Sequence, residues 1–213
     1  MNYWNNIYKK NKHLSIWPWS ELVSKVIHYK KKINKKKLTL LELGCGAGAN
    51  IPFILFNKIN YFGIDFSENI IRKLKKRFKN LRKNLLVGDF KDNHFKNKKF
   101  DIIIDRAAIT HNNIDDIKKI IQVINMNLSK KGFFIGIDWY SKKYLTNTKK
   151  KIYFQKFNKG MFSGIGGVYF FDKKTLLNLF KDFKIIELEE KIIFDRNTNK
   201  VKLASWSIVV KKK

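Results

Sequence analysis

Short apolar runs alternate with amphipathic stretches along most of the chain. Five of these runs are predicted to be strands: Leu38 to Leu43, Asn60 to Asp65, Leu85 to Val87, Phe100 to Asp105 and Gly132 to Asp138. The stretches between them are predicted to include three helices: Ala49 to Asn57, Glu68 to Lys79 and Ile114 to Leu128. Strands that are apolar throughout are typical of a parallel sheet covered by helices on both faces. The pattern therefore predicts an α/β, Rossmann-like core.

The last third of the chain has a different order of elements. A loop-rich stretch precedes a predicted helix at Lys173 to Phe180. Two strands follow, Lys184 to Phe194 and Leu203 to Val210, with no helix between them. Strands that follow one another in this way pair antiparallel. We therefore expect a seven-stranded, mostly parallel sheet with an antiparallel C-terminal hairpin at or near one edge.

The N-terminal region is unusually aromatic. Tyr3 to Tyr29 is predicted to be helical with a break at Pro18, and its aromatic residues include Tyr3, Trp4, Trp17, Trp19 and Tyr29. These side chains suit a lid that excludes water from a site, and they equally suit amphipathic helices that merely pack. With 213 residues and 44% hydrophobic positions, the chain is predicted to form one domain, with a helical lid at 1–33 and a core at 38–213.

The chain is strongly basic, and this allows two explanations. Its formal net charge is +29, from 46 Lys+Arg and 17 Asp+Glu, which would attract RNA or an acidic membrane face. The excess lysine is scattered and accompanies abundant Asn, Ile and Phe, all encoded by A/T-only codons, so a genomic composition bias explains it without such a partner. Lysine clusters occur at 30–32, 35–37, 73–83, 149–151 and 211–213.

The start of the chain and its cysteine content indicate a cytoplasmic protein. No secretory signal and no run of membrane-spanning length is present, and the single cysteine, Cys45, cannot form an internal disulfide. We assign no metal site, and the sequence indicates no particular oligomeric state.

A glycine-rich turn follows the first predicted strand. Leu41 to Gly48 reads LELGCGAG, which places glycines at alternate positions where a positive φ or an approaching ligand requires bare backbone. Asp65, 21 residues after Gly44, ends the second strand, at the spacing of about 20 residues typical of a carboxylate that binds a ribose diol. Dinucleotide-binding enzymes prefer a different spacing, Gly-x-Gly-x-x-Gly.

Five motifs in order resemble the class I S-adenosylmethionine (SAM)-dependent methyltransferase family, of the small-molecule type. They are LELGCGAG at 41–48, YFGIDFS at 61–67, VGDF at 87–90, FDIIIDR at 100–106 and LSKKGFFI at 128–135. The resemblance covers residues 38–138 and implies the Rossmann-like fold and SAM as the cofactor.

The resemblance also implies which residues bind SAM. Glu42 and the turn residues Gly44, Cys45, Gly46 and Gly48 would line the methionine side, with Cys45 merely filling space. Asp65, followed by Phe66, would bind the ribose hydroxyls, and Asp89 with Phe90 would contact the adenine. A carboxylate accepts a hydrogen bond from the adenine amino group and an aromatic ring stacks on the base, although Phe90 equally suits a place in the core.

The segment after the fourth strand is expected to carry the chemistry, because ligands bind beyond the carboxyl ends of parallel strands. Three residues are candidates. His111 would act as a base toward a hydroxyl group, or it would simply cap the next helix or be exposed to solvent. Asp105 would position the substrate or the ammonium group of SAM. Arg106 would bind an acidic substrate, or neutralise Asp105 and Asp101.

Three functions are consistent with the sequence. The first is methyl transfer to a small molecule, at the oxygen of a sugar or another hydroxylated metabolite, with Gly160 to Tyr169 as a substrate loop. The second is RNA methylation, favoured by the charge, although the segment after the fourth strand reads Asp-Arg-Ala-Ala instead of the Asn/Asp-Pro-Pro-Tyr type that holds a base amine. The third is SAM binding without catalysis.

Overall fold

The computed structural model describes residues 3–10, 14–145 and 153–213, so the predicted lysine cluster at 149–151 lies outside the described residues. Nine strands occur in these ranges: β1 (Thr39–Leu43), β2 (Asn60–Asp65), β3 (Leu85–Val87), β4 (Phe100–Arg106), β5 (Leu128–Tyr140), β6 (Phe154–Lys156), β7 (Gly167–Tyr169), β8 (Phe183–Phe194) and β9 (Val201–Lys212).

Seven of these strands form one sheet in the order β3-β2-β1-β4-β5-β9-β8. The strands β1 to β5 are parallel, whereas β9 pairs antiparallel with both β5 and β8. The predicted Rossmann-like sheet with an antiparallel C-terminal pair is therefore confirmed. Because β1 lies at the centre with β2 and β4 beside it, the carboxyl ends of these three strands meet at one edge.

Helices cover both faces of the sheet. Six α-helices occur among the described residues: α1 (Tyr3–Lys9), α2 (Ser20–Ile33), α3 (Ile51–Phe56), α4 (Glu68–Arg77), α5 (Ile114–Asn127) and α6 (Lys173–Leu179). Ser67 caps α4 by accepting a hydrogen bond from Ile70 N. None of the helices in the described residues is long and apolar enough to cross a membrane.

The alternation of side chains along β4 divides the core into two layers. Ile102 and Ile104 pack with residues of α2, α3 and α4, whereas Ile103 packs on the opposite face with residues of α5 and α6. Successive strand residues point to opposite faces, so the middle of a strand that is covered on both sides is apolar at consecutive positions. This requirement explains the continuous apolar run that identified the strand.

The structure differs from the predicted elements at several boundaries. Helix α3 begins at Ile51 instead of the predicted Ala49, because Gly48 to Asn50 complete the turn. Helix α4 ends at Arg77 instead of the predicted Lys79. The fifth strand begins at Leu128, directly after α5. The loop-rich stretch contains the antiparallel pair β6 and β7, which was missed because three-residue strands among glycines show no period-two pattern.

Candidate functional site

A cavity of about 630 Å³ opens at the edge where β1, β2 and β4 end. Its floor is the turn after β1, and its walls come from the segments after β2, β3 and β4, from the N-terminal residues and from the β6 and β7 region. The cavity therefore lies beyond the carboxyl ends of the parallel strands, where α/β sheets bind ligands.

The glycine turn presents bare backbone to this cavity. Gly44, Gly46 and Gly48 have φ values of +65°, +50° and +77°, which residues with a Cβ rarely adopt. Gly44 N and Cys45 N both donate to the carbonyl oxygen of Ile64, at 2.9 and 3.1 Å, and these bonds tie the turn to β2. A Cβ on Gly44 would lie 2.3 Å from the Cβ of Ala108, so the main chain of the turn packs directly against the side chain of Ala108 in the segment after β4.

Asp65 lies at the tip of β2, against the turn. Its Oδ2 accepts a hydrogen bond from Gly46 N at 2.8 Å, and its Oδ1 accepts one from Ser67 N at 2.9 Å. Burial raises the pKa of the carboxyl, and the two backbone bonds oppose that shift. Each carboxylate oxygen can accept a second hydrogen bond, so Asp65, which lines the cavity, can both fix the turn and bind a diol.

Glu42, near the end of β1, forms a buried part of the floor. Its Oε1 accepts a hydrogen bond from Asn50 Nδ2 at 2.7 Å, and its Oε2 accepts one from Tyr61 Oη at 2.6 Å. Burial raises the pKa of this carboxyl to about 7 despite both bonds. Glu42 is therefore held in one orientation, with a charge that changes near neutral pH.

The remaining predicted cofactor residues lie on two parts of the wall. Phe66, Asp89 and Phe90 line the cavity beyond β2 and β3, and Asp89 forms an ion pair with Lys91 at 3.0 Å. Cys45 lines the floor and is buried, which raises the pKa of its thiol well above the usual range. A thiol in this state is a poor nucleophile, consistent with a space-filling role.

Two predicted cofactor residues lie outside the cavity walls. Gly48 faces the core, where an added Cβ would lie 2.7 Å from Leu74 Cδ2, and its expected contact with the cofactor stays a prediction. Asp105 is completely buried, and its carboxylate accepts hydrogen bonds from Ala108 N, Ile109 N and Trp139 Nε1.

The contacts of Asp105 are all with the protein, and its predicted role beside the cofactor or the substrate stays a prediction. The sequence suggested that its carboxylate touches the cofactor or the substrate, but its three donors are all protein groups and it does not line the cavity. Burial raises the pKa of Asp105 to about 7. Through its three hydrogen bonds, Asp105 shapes the turn leading to His111.

Arg106 lines the cavity and has a different partner from those expected. Its Nε lies 2.8 Å from Oδ2 of Asp138, and its guanidinium stacks 3.5 Å from the ring centroid of Trp19. No ion pair joins Arg106 to Asp101 among the described residues, because Asp101 lies at the opposite end of β4 and pairs with Lys35. The alternative, that Arg106 binds an acidic substrate, stays a prediction.

His111 lines the cavity in a short 3-10 turn after β4. Its Nδ1 lies 3.3 Å from the carbonyl oxygen of Gly167, and its ring packs edge-on against Trp4, with 5.1 Å between ring centroids. A carbonyl oxygen only accepts, so this contact requires a proton on Nδ1, and in the neutral imidazole Nε2 is then the basic nitrogen.

The sequence identified only part of the aromatic cover. Tyr3, Trp4 and Trp19 line the cavity, but Trp17 is exposed and Tyr29 is buried under the sheet against Phe133. Cavity residues that the sequence did not indicate include Tyr8, Asn50, Tyr140 and Lys156. Asn50 lies two residues after Gly48 and could have been inferred from the turn, whereas Tyr8, Tyr140 and Lys156 belong to elements distant in sequence from the turn, which a local pattern does not show.

Comparisons with known proteins agree with this fold. A SAM-dependent methyltransferase structure from Methanosarcina mazei is similar (TM-score 0.67, 18% identity, covering 93% of this chain and 99% of that one). So are SAM-dependent methyltransferases from Clostridium acetobutylicum (TM-score 0.68, 17% identity, 92% of each chain) and Anabaena variabilis (0.67, 16%, 100% of this chain and 93% of that one). Among curated protein sequences there is no significant match. The sequence model described as "Methyltransferase domain" matches residues 34–184, and the chain belongs to this family of methyltransferases.

Proposed function

We propose that this methyltransferase uses SAM as its methyl donor and transfers the methyl group to an oxygen atom of a small-molecule acceptor. The observation that carries the proposal is the cavity of about 630 Å³, which has a bare-backbone floor on one side and an aromatic cover on the other. Its volume falls in the range of roughly 300 to 1,000 Å³ typical of small-molecule sites.

The residues on the donor side have the chemistry that SAM requires. The backbone at Gly44 and Gly46 can approach a ligand closely, Asp65 has unused acceptor positions for ribose hydroxyls, and Asp89 with Phe90 can bind an adenine. When bound, SAM supplies an electrophilic methyl group on a sulfonium sulfur. The chain itself must orient the acceptor and take up its proton.

We assign to His111 the removal of the proton from the acceptor hydroxyl. With Nδ1 directed at the Gly167 carbonyl, Nε2 can accept the proton of an acceptor hydroxyl as the oxygen attacks. The contact with Gly167 also ties His111 to the β6 and β7 region. This contact therefore fixes the proposed base relative to the wall that would hold the acceptor.

The cover supports a small acceptor over RNA. Tyr3, Trp4 and Trp19 approach the cavity from the N-terminal region, and Phe154 and Met161 approach it from the region after β5. We propose that residues 1–33 act as a lid over a single domain that spans 1–213. Walls of this kind enclose a small molecule and exclude water from the reaction.

The test measures the binding of SAM and then the kind of molecule that receives the methyl group. Calorimetry with SAM and with S-adenosylhomocysteine should show binding, and Asp65→Asn, which keeps the size of the side chain, should weaken it by roughly 1 to 3 kcal/mol. Methyl-labelled SAM is then incubated with the protein and either a small-metabolite extract or total RNA. Label is expected in the metabolite fraction, in a methyl ether.

Each other outcome points to a different function. Label in RNA alone would replace the small-molecule proposal with RNA methylation. Tight binding of SAM with no labelled product in either fraction would indicate a binding protein without catalysis. If neither SAM nor S-adenosylhomocysteine binds, the proposal fails at its first step.

A further inference from the structure

The acceptor side of the cavity carries charge of one sign. Its walls are formed by the N-terminal residues, Arg106 to His111, Tyr140 and the region from Phe154 to Gly167. Among the described residues of these walls, the charged side chains are Arg106 and Lys156, and none is a carboxylate. The acidic lining residues belong to other parts of the cavity: Glu42 and Asp65 lie at the floor, and Asp89 and Asp116 lie on the opposite wall near Lys91.

Arg106 is held in place while most of its donors stay available. Asp138 lies beside Nε, and Trp19 stacks on the face of the guanidinium. Within the described part of the chain, neither Nη of Arg106 donates a hydrogen bond to a protein group. A guanidinium has five N–H donors, of which four belong to the Nη groups, so a pair of parallel N–H groups is available for a planar oxyanion.

The backbone around Arg106 is shaped to hold this arrangement. Ala107 and Asp138 both have φ +56°, a conformation that is uncommon for residues other than glycine. Asp138 lies where the pairing of β5 with β9 shifts register, and this irregularity places its carboxylate beside Arg106. Strained positions of this kind concentrate at ligand sites.

The wall next to Arg106 suits a flat, partly apolar molecule. Trp4, Trp19 and Tyr140 lie on this side, and Met161 and Ile165 complete it from the region after β6. Lys156 is exposed at the mouth, where a second cation adds attraction for an approaching anion.

We propose that the acceptor is a small molecule with an apolar, flat body and one oxyanion group, a carboxylate or a phosphate, which the two Nη groups of Arg106 bind. This inference rests on the proposed function, because it describes the acceptor of that reaction. It makes Arg106 a specificity-determining residue and separates its role from the proton transfer at His111.

The test uses three matched probes with the protein saturated with S-adenosylhomocysteine at physiological salt. The probes are 4-fluorobenzoate, 4-fluorophenyl phosphate and the neutral 4-fluorobenzamide, each titrated by ¹⁹F NMR. We expect at least one of the two anions to bind about ten-fold or more tightly than the amide, as a charge-assisted pair of hydrogen bonds allows. The anion with the larger ratio identifies the oxyanion.

Variants then assign the preference to one residue. Arg106→Met keeps an unbranched side chain against Trp19 and should abolish the preference, whereas Arg106→Lys, which keeps the charge without the fork, should retain part of it. Arg77→Met is the matched control, because Arg77 also lies over an aromatic ring, that of Phe78, but on the exposed surface of α4. It removes the same charge and should leave the preference unchanged.

Binding of S-adenosylhomocysteine, measured for each variant, separates the two proposals. If it binds but neither anion binds more tightly than the amide, the inference is overturned and the proposed function stands. The inference is also overturned if Arg106→Met keeps the preference or if Arg77→Met loses it equally. Should Arg106→Met fail to fold, Arg106→Gln is measured by the same criteria. Failure of the wild type to bind S-adenosylhomocysteine contradicts the proposed function itself.

Discussion

Gly44 lies where the turn after β1 approaches the segment after β4 most closely. Gly44→Ala should lower the free energy of unfolding by about 2 to 5 kcal/mol, since a positive φ costs roughly 1 to 2 kcal/mol and the overlap with Ala108 adds a packing penalty of roughly 1 to 3. Urea denaturation measures the change.

Gly164→Ala provides the control for Gly44→Ala. Gly164 also has a positive φ, +76°, but no atom lies within 4 Å of where its Cβ would be. Gly164→Ala should therefore lower the free energy of unfolding only by the cost of the positive φ, about 1 to 2 kcal/mol. Equal losses for the two variants would show that the contact with Ala108 carries no energy.

His111 should affect turnover without affecting the affinity for the donor. His111→Gln should lower kcat by about 10² to 10⁴, the usual contribution of a general base, and leave the Kd of S-adenosylhomocysteine nearly unchanged. His28→Gln, in an exposed histidine of α2, is the control. Full activity of His111→Gln would remove this residue from the mechanism.

Glu42 makes stability depend on pH near neutrality. Its pKa rises from 4.5 to about 7 on folding, so the folded state binds the proton more strongly than the unfolded chain. The stability it contributes is complete below pH 4.5 and is lost as the pH rises through 7. Glu42→Gln should therefore reduce the fall in unfolding free energy between pH 5 and pH 8, by at most about 3 kcal/mol.

Asp105 gives the comparison for the Glu42 experiment. Its pKa also rises to about 7, mainly through burial and to a smaller extent through the charge of Glu42, so the Glu42→Gln variant should lose the part that Glu42 causes and keep most of the pH dependence that Asp105 causes. Urea denaturation at both pH values measures the difference between wild type and variant. Parallel curves for the two proteins would show that Glu42 does not titrate in this range.

At the scale of elements, the sequence predicted those parts of the site that lie in a short continuous segment directly after a strand. The turn Gly44 to Gly48 and Asp65 follow strands whose burial on both faces makes them apolar, so their position is visible in the sequence. Tyr8 and Tyr140 could not be found in this way. Tyr8 reaches Gly46 only because α1 packs on α4, which no local pattern encodes.

Asp105 shows a second reason why a local sequence pattern does not determine what a side chain contacts. Its place at the end of β4 is correct, but its side chain turns into the protein because Trp139, from β5, donates to it. A carboxylate at a strand end is equally suited to a ligand and to a buried donor, and only the neighbouring strand decides which it meets.

The docking of α1 depends on a few polar contacts. Asn5 Oδ1 accepts hydrogen bonds from Ser67 Oγ and Asn69 Nδ2, both at 2.9 Å, and α1 has only seven residues, too few to be stable alone. Asn5→Ala should raise the hydrogen-exchange rate of α1 amides about ten-fold while leaving that of the sheet unchanged.

Asn6→Ala is the matched control for this measurement. Asn6 is exposed on the same helix, so its removal changes helix propensity equally and should leave exchange in α1 almost unchanged. Equal acceleration by the two variants would mean that the contacts of Asn5 do not hold the helix in place.

At the scale of the whole molecule, the charge of +29 predicts RNA binding of low specificity. Affinity for RNA should fall by about 10³ or more between 50 and 200 mM salt, as counterion release requires when several phosphates are contacted. Methyl transfer to a small acceptor should change far less over that range. Filter binding and the labelled-methyl assay measure the two effects, and salt-resistant RNA binding with RNA methylation would contradict this expectation.

The two halves of the cavity come from separate stretches of the chain. The floor and the proposed donor side are built between β1 and the start of α5, whereas most of the opposite wall comes from the residues before β1 and from those between β5 and α6. An exchange of either outer stretch with a relative would leave the hydrogen bonds of Asp65 and Glu42 intact. Exchange of these two stretches is therefore expected to change which acceptor body fits the cavity, whereas the residues of the proposed donor side, together with Arg106 and His111, would be retained.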